Sequence, residues 1–405
     1  MIPLQEIQEA QKMIEGVVLK TPFAHAPLLS ERVDADIYLK KENLQLTGAF
    51  KLRGAYNKIA SLSYEERAKG VIAASAGNHA QGVAYSAKMF AIPATIVMPE
   101  ATPLLKVQNT KALGAKVLLH GENYDEAYAF AKQQAAEEGL TFIHPFADDK
   151  VMAGQGTIAL EMLEACADLD YVVVSIGGGG LISGVAAAVK QINPAIKVIG
   201  VVASGAPAMY NSVQAKKAID SMGVKTIADG IAVRDVTAKN LEYILESVDE
   251  VVQVDDEEIA SAILFLLERQ KLVVEGGGAA GVAAIMHQKF SFAKGSKIAT
   301  ILSGGNIDVQ MLSLIIEKGL IKAKRKMKFI ITLTDKPGSL MRLTDILKEV
   351  NANIIQIDYD RTSTSLSYGD ANVTLALETR GEEHQEIVRE KLRAEHYNFR
   401  EELRV

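Results

Sequence analysis

The chain is predicted to be an α/β protein with parallel sheets, followed by a smaller ferredoxin-like domain of βαββαβ order. Three observations predict it. Short runs rich in Val and Ile alternate with helical patterns from about residue 70 to about residue 305. Several of these runs end directly in glycine or small polar residues. Past residue 320 the composition shifts to KAKRKMK, and the segments beyond it follow a different pattern.

The opening MIPLQEIQEAQKMIEG mixes acids into an amphipathic helical pattern and lacks the basic region and apolar run of a secretory signal. The runs VIAAS, ATIVMP, KVLLH, YVVVS, KVIGVVA and KIATILS then follow, separated by helical stretches. Short apolar strands spaced by helices read as parallel sheets covered on both faces. Such sheets bind ligands at the carboxyl ends of their strands. Here VIAAS runs into SAGNHAQG, YVVVS into IGGGG, and KIATILS into SGGN. A boundary near Lys322 to Lys326 divides 1–322 from 327–405; its basic run reads as a solvated linker, with an anion patch as the competing reading. The tail reads as strand (KFIITLT), turn (DKPGS), helix (LMRLTDILKEV), two strands (NIIQIDYD, DANVTLALE), helix (EEHQEIVREKL) and a final short strand.

With 405 residues, 48% of them hydrophobic and 23% charged, the chain is long enough for two or three domains. A net charge of -6 argues against nucleic acid or a membrane surface as the main partner and favours a small-molecule ligand. Cys166 is the single cysteine, so no intrachain disulfide forms and a reducing compartment is expected. Its apolar helical setting reads as a buried structural residue rather than a reactive thiol. No stretch approaches the roughly 18 apolar residues of a membrane span. A soluble, cytoplasmic protein is expected.

Four segments carry candidate chemistry. In KENLQLTGAFKLRGA, Lys51 sits between Phe50 and Leu52 at a helix start. A lysine among apolar neighbours can have the lowered pKa that covalent chemistry with a carbonyl needs, although an exposed helical lysine is the competing reading of this segment alone. In YVVVSIGGGGLISG, Gly177 to Gly180 lie between a strand and a helix beginning near Leu181. Consecutive N–H groups without side chains form an anion nest at the helix dipole. The spacing is not G-x-G-x-x-G, no acidic residue ends the next strand and no Walker lysine follows, so a phosphate monoester fits better than a dinucleotide. Glycines serving only helix packing are the competing reading. In AASAGNHAQG, Ser75 to His79 precede a helix starting at about Ala80. Its N–H groups and the Ser75 hydroxyl suit a substrate carboxylate, and Asn78 suits a ring oxygen. His79 reads either as a general base or as a capping or stacking residue. In TILSGGN, the Ser303 hydroxyl can donate to a ring nitrogen or cap the turn.

In this order the four segments resemble those of the fold type II pyridoxal-phosphate enzymes, and among them the threonine ammonia-lyases (threonine dehydratases). The similarity covers about residues 5 to 320, and the tail resembles a single ACT domain. The resemblance implies a catalytic domain of two open α/β subdomains over 1–322, the smaller at about 46–147, and an ACT regulatory domain over 327–405. It implies pyridoxal 5'-phosphate joined to Lys51, with Phe50 against the ring. Asn78 would meet the phenolic oxygen, Gly177, Gly178, Gly179 and Gly180 the phosphate, and Ser303 the pyridine nitrogen. Ser75, Ala76, Gly77, Asn78 and His79 would receive the substrate. Lys51, Ser75 and Glu275, the last in VEGGGAA, would lie nearest the chemistry. The implied reaction is deamination of L-threonine to 2-oxobutanoate and ammonium, with L-serine as a second substrate. A serine ammonia-lyase or serine racemase on the same scaffold is the alternative, and a non-catalytic amino-acid sensor a distant one.

Departures from the family pattern refine the reading. Ala49 stands where Ser is common, a small change. Ala76 stands where related racemases carry a second Ser, so racemisation is expected to be poor. Val202 and Ala208 occupy places where those relatives carry metal-binding carboxylates, so no divalent metal is expected there. In DKPGSL, a turn at Pro337, Gly338, Ser339 and Leu340 precedes a helix, and the ACT resemblance makes it an amino-acid effector site, for isoleucine or valine. A homodimer or homotetramer is expected.

Overall fold

The structure, a computed structural model, describes residues 1–402. The chain divides into two compact units, Met1–Asp308 and Val309–Val405. This division precedes the composition change at 322–326, so the helix Val309–Lys322 groups with the second unit.

The first unit holds two sheets. The larger has six strands in the order Phe23–His25, Asp36–Lys40, Lys297–Ile301, Tyr171–Ser175, Lys197–Ala203, Glu250–Val254. All neighbours are parallel except Phe23–His25, which runs antiparallel to Asp36–Lys40. Strand formation therefore begins well before residue 70, and the parallel array gains an antiparallel edge. FAH and DIYLK carry no long apolar run; pairing of Asp36–Lys40 with Lys297–Ile301 makes them strands, a tertiary effect invisible to local pattern.

The smaller sheet is wholly parallel, in the order Lys116–Leu119, Ala94–Met98, Val71–Ala74, Thr141–Phe142. Val71–Ala74 is buried at all four positions, as a strand covered on both faces must be. In each sheet the chain steps outward in one direction and later returns to the other side of its starting strand. The reversal lies between Val71–Ala74 and Thr141–Phe142 in the smaller sheet, and between Tyr171–Ser175 and Lys297–Ile301 in the larger. Crevices at the carboxyl ends of such strand pairs are where open α/β sheets take ligands.

Three helices set the spacing of the unit. Asp149–Ala165 is packed between Lys51–Ala60 and Gly180–Ile192. Glycine makes both crossings close. A Cβ on Gly54 would lie 2.5 Å from the Val151 carbonyl oxygen, and one on Gly154 2.6 Å from the Arg53 carbonyl oxygen. On the other side, a Cβ on Gly156 would lie 2.8 Å from the Gly184 carbonyl oxygen, and one on Gly184 would overlap the Met152 carbonyl oxygen. Cys166 ends the Asp149–Ala165 helix instead of lying within it; it is half-buried, and its thiol donates to Asp168. Burial and Asp168 push that thiol above its ordinary pKa, so it stays protonated and unreactive.

The second unit follows the expected βαββαβ order, with strands Lys326–Thr334, Asn353–Asp360, Asp370–Glu378 and Asn398–Glu401 and helices Ser339–Glu349 and Glu382–Ala394. Its sheet is antiparallel. Met327, Phe329, Ile331 and Leu333 alternate inward onto the helices, leaving the other face half-buried. Among the described residues no helix is long and apolar enough to cross a membrane.

Candidate active site

Lys51 opens its helix, as the sequence suggests. The turn before it is tied to the end of Lys297–Ile301: Phe50 N–H donates to the Ser303 carbonyl (3.0 Å), Gly305 N–H to the Gly48 carbonyl (2.9 Å), and Ala49 bridges Gly304. Lys51 and Ser303, 252 positions apart in sequence, are thereby neighbours in the fold. The Lys51 amine lies 5.2 Å from the Phe50 ring centroid and donates to the Pro145 carbonyl at 2.8 Å. Burial lowers its pKa to about 8, with the Glu275 charge opposing the shift, so a neutral amine is accessible near neutral pH.

The Ser75–His79 loop leaves Val71–Ala74 at the reversal point of the smaller sheet and enters the helix Asn78–Met89. Gly77 N–H donates to the Ser75 hydroxyl at 3.2 Å, and Ala76 is half-buried beside them. His79 is buried, and its Nε2 lies 2.9 Å from the Ile143 carbonyl. A carbonyl can only accept, so Nε2 carries the proton and Nδ1 does not. Burial and the Lys51 charge push the ring's pKa down to about 3. His79 is thus a neutral anchor bonded to a backbone carbonyl, neither capping its helix nor poised to cycle a proton at neutral pH.

Gly177 to Gly180 follow Tyr171–Ser175 at the reversal point of the larger sheet, and the helix starts at Gly180. Gly179 has φ 90°, a backbone region that favours glycine. A Cβ on Gly178 would overlap the Phe146 ring, and one on Gly180 would lie 2.8 Å from Phe146. Among the described residues no protein acceptor pairs with the N–H groups of Gly177, Gly178 or Gly179.

Glu275, only 4% exposed, precedes the buried helix Gly276–Met286. Asn78 Nδ2 donates to Glu275 Oε1 at 2.7 Å, and Asn306 Nδ2 donates to Asn78 Oδ1 at 2.6 Å and to the Thr47 carbonyl at 3.0 Å. Burial, then the Asp229 charge, push the Glu275 carboxyl up to about 7, with Asn78 and Lys106 opposing. The folded protein then keeps a proton that the unfolded chain has released, so this group lowers stability as pH rises from about 4.5 to about 7, by about 3 kcal/mol. Glu275→Gln should flatten that decline in denaturation curves of the cofactor-free chain; an unchanged slope would place the proton elsewhere.

Asn306, Pro145 and Phe146 were not anticipated. Asn306 follows directly on SGG, the one local signal available. Pro145 and Phe146 act through a backbone carbonyl and a ring packed on glycine, which leave no sequence mark. Val202 and Ala208 are buried apolar positions, and among the described residues no three or more His, Cys, Asp or Glu side chains group to hold an ion.

A buried amine of lowered pKa thus bonds the Pro145 carbonyl, and the next residue, Phe146, packs on the glycine run whose N–H groups are unpaired. The family model for "Pyridoxal-phosphate dependent enzyme" matches residues 14–304. The chain belongs to the pyridoxal-phosphate-dependent enzymes. An L-threonine ammonia-lyase of Thermotoga maritima is 50% identical over 400 residues, 99% of either chain. The processed form of threonine deaminase isoform 2 from Solanum lycopersicum superposes with a TM-score of 0.75 at 39% identity, covering 77% of this chain and 87% of that one. Maize serine racemase superposes with a TM-score of 0.74 at 38% identity, covering 79% and 98%. The residues present fit the cofactor of this family. Among the described residues, the N–H groups of Gly177, Gly178 and Gly179 lack a protein acceptor, which the anionic end of the cofactor would supply.

Proposed function

We propose that this pyridoxal-phosphate enzyme deaminates L-threonine to 2-oxobutanoate and ammonium, with L-serine as a second substrate. The observation that carries the reading is the buried Lys51 amine, with its pKa near 8, in a chain half identical to an L-threonine ammonia-lyase over nearly its whole length. Lys51 would hold the cofactor covalently, Gly177 to Gly180 its phosphate, Asn78 its ring oxygen, Ser303 its ring nitrogen, and Phe50 would pack on the ring. When bound, the cofactor supplies an electron sink for the substrate's Cα.

The N–H groups of the Ser75–His79 loop orient the substrate carboxylate. Lys51, once its amine is free and neutral, takes the proton from Cα. The Ser303 hydroxyl does not enforce a proton on the ring nitrogen as a carboxylate would, which favours loss of the β-hydroxyl as water over transamination. Glu275 is placed beside Asn78 with a pKa near 7, suited to exchanging a proton within the closed site. The released unsaturated amine then hydrolyses to the oxo acid and ammonium.

Oxo-acid production measured with both substrates tests this. One methyl group is worth about 1–3 kcal/mol, so kcat/KM for L-threonine should exceed that for L-serine about 10-fold or more. Ala76 offers no hydroxyl to the opposite face of Cα, so little D-serine should form. D-serine appearing faster than the oxo acid would favour a racemase and overturn the proposal.

The second unit is assigned as an ACT domain that reads an amino acid. Gly338, at φ 90°, turns the chain into the helix Ser339–Glu349, offering the N–H groups of Gly338 and Leu340 to a carboxylate, while Ser339 N–H donates to the Lys336 carbonyl at 3.2 Å. Isoleucine or valine is the effector that such a domain would read, in an enzyme serving either the first step toward isoleucine or threonine breakdown. The edge strand Asn353–Asp360 leaves Ile355, Ile357 and Tyr359 exposed, which favours a homodimer or homotetramer. A cytoplasmic location fits a chain with one cysteine. Calorimetric titration of the full chain with isoleucine and valine should give saturable heat and a matching shift in threonine kinetics; silence in both would remove the regulatory reading.

A further inference from the structure

Two positions after Lys51, Arg53 points away from the site into a fully buried set of charges. Its Nε and Nη2 donate to the two carboxylate oxygens of Glu42 at 2.9 Å each. Its Nη1 and Nη2 donate to the two oxygens of Glu161 at 2.6 and 3.0 Å. Thr157 Oγ1 and the Leu19 carbonyl, both at 3.2 Å, complete the shell. Lys40 closes the group by donating to Glu161 and, at 2.6 Å, to the Thr21 carbonyl. Arg53, Lys40 and Glu42 are 0% exposed, and Glu161 is 7% exposed. Burial opposes the Glu42 charge, but Arg53 outweighs it and holds the carboxyl below its ordinary range. Two cations therefore balance two anions in a space without water.

Such a cluster is a poor way to gain stability, because a buried ion pair is often no better than apolar side chains of the same volume. What it does supply is direction. A guanidinium gripping two carboxylates through paired bonds is fixed in orientation, unlike an apolar contact. Its partners also matter. Glu42 follows the strand Asp36–Lys40, the neighbour of Lys297–Ile301, which leads to Ser303; Glu161 lies on Asp149–Ala165, the helix crossed at Gly54 and Gly154. The glycine crossing sets how close the Lys51 helix approaches, and Asn57 Nδ2, donating to the Lys150 carbonyl at 2.7 Å, ties its second turn, which leaves the first turn, that of Lys51, freer to rotate. Arg53 removes that freedom.

We propose that Arg53 is a positioning residue which, clamped by Glu42 and Glu161, fixes the rotation of the Lys51 helix and so aims the Lys51 amine at the cofactor. This rests on the reading that Lys51 bonds the cofactor. The titratable groups that bear on Lys51 are Glu275, His79 and His144, while Arg53, Glu42 and Glu161 act on it through geometry.

The test follows covalent capture of pyridoxal phosphate by the cofactor-stripped full chain through its visible absorbance, as a function of pH, beside melting temperature and threonine kinetics. Arg53→Lys keeps the charge but loses the double fork. It should keep the native midpoint pH, slow capture about 10-fold and lower kcat about 10-fold with KM little changed. Arg53→Met and Glu161→Gln open the clamp from its two sides, and each should slow capture about 10-fold at an unchanged midpoint pH. A purely structural role would lower the melting temperature and leave the capture rate and kcat of the folded protein native, and that result, or native capture and kcat in Arg53→Lys, overturns the proposal. If Arg53→Met does not fold, Arg53→Lys and Glu161→Gln decide. Lys51→Ala separates the two readings: capture surviving in that variant removes Lys51 as the bonding residue, whatever Arg53 does.

Discussion

Lys51→Ala should abolish both turnover and the visible absorbance of the bound cofactor, with threonine deamination falling by about 10⁴-fold or more. The loss is large because one amine has two tasks, bonding the cofactor and accepting the Cα proton, and Lys40, also buried, is held by Glu161 and the Thr21 carbonyl. The nearest titratable groups are of the wrong kind. His79 is neutral down to about pH 3, its Nε2–H bonded to Ile143, and Glu275 is held by Asn78. The fold should survive the change, since Lys51 contributes a single hydrogen bond to Pro145 and a costly desolvation. Native absorbance in a folded Lys51→Ala protein would contradict the assignment.

The second large effect is expected one helical turn beyond the glycine cradle. Gly184→Ala puts a Cβ into the Met152 carbonyl oxygen, and its other close neighbour is the Gly156 backbone nitrogen. Both are main-chain atoms of one helix, so no side-chain rotation relieves the overlap. Ala gains about 1 kcal/mol of helix propensity over Gly. Separating two packed helices costs about 1–3 kcal/mol or more, and the net sign is unfavourable. Because the moving helix begins at the glycine cradle, cofactor affinity should fall with the melting temperature. Thermal unfolding and cofactor dissociation can be followed together. A variant with native cofactor affinity but a lower melting temperature would uncouple the crossing from the cradle.

These cases mark where the sequence is legible. Lys51, Gly177 to Gly180, Ser75 to His79 and Ser303 stand out because each is a local event, a turn or glycine run where a strand stops, and parallel sheets present ligand sites at such ends. The βαββαβ tail is readable for the same reason, through its clear alternation from Met327 to Leu333. Asp36–Lys40 is hidden because its strand character comes from a partner some 260 residues away. Arg53 and Glu161 read as ordinary helical charges until the packing brings them together with Glu42. Cys166 was placed by its apolar neighbours, but the helix ends one residue before it.

Lys297–Ile301 is late in the chain yet lies mid-sheet, flanked by Asp36–Lys40 on one side and Tyr171–Ser175 on the other. During synthesis both neighbours emerge earlier and must wait, with their inner edges unpaired, until some 300 residues have been made. An interrupted nascent chain therefore exposes two unsatisfied strand edges and lacks Ser303, which makes the interval before that strand inserts the period of greatest exposure to aggregation and of greatest need for chaperones.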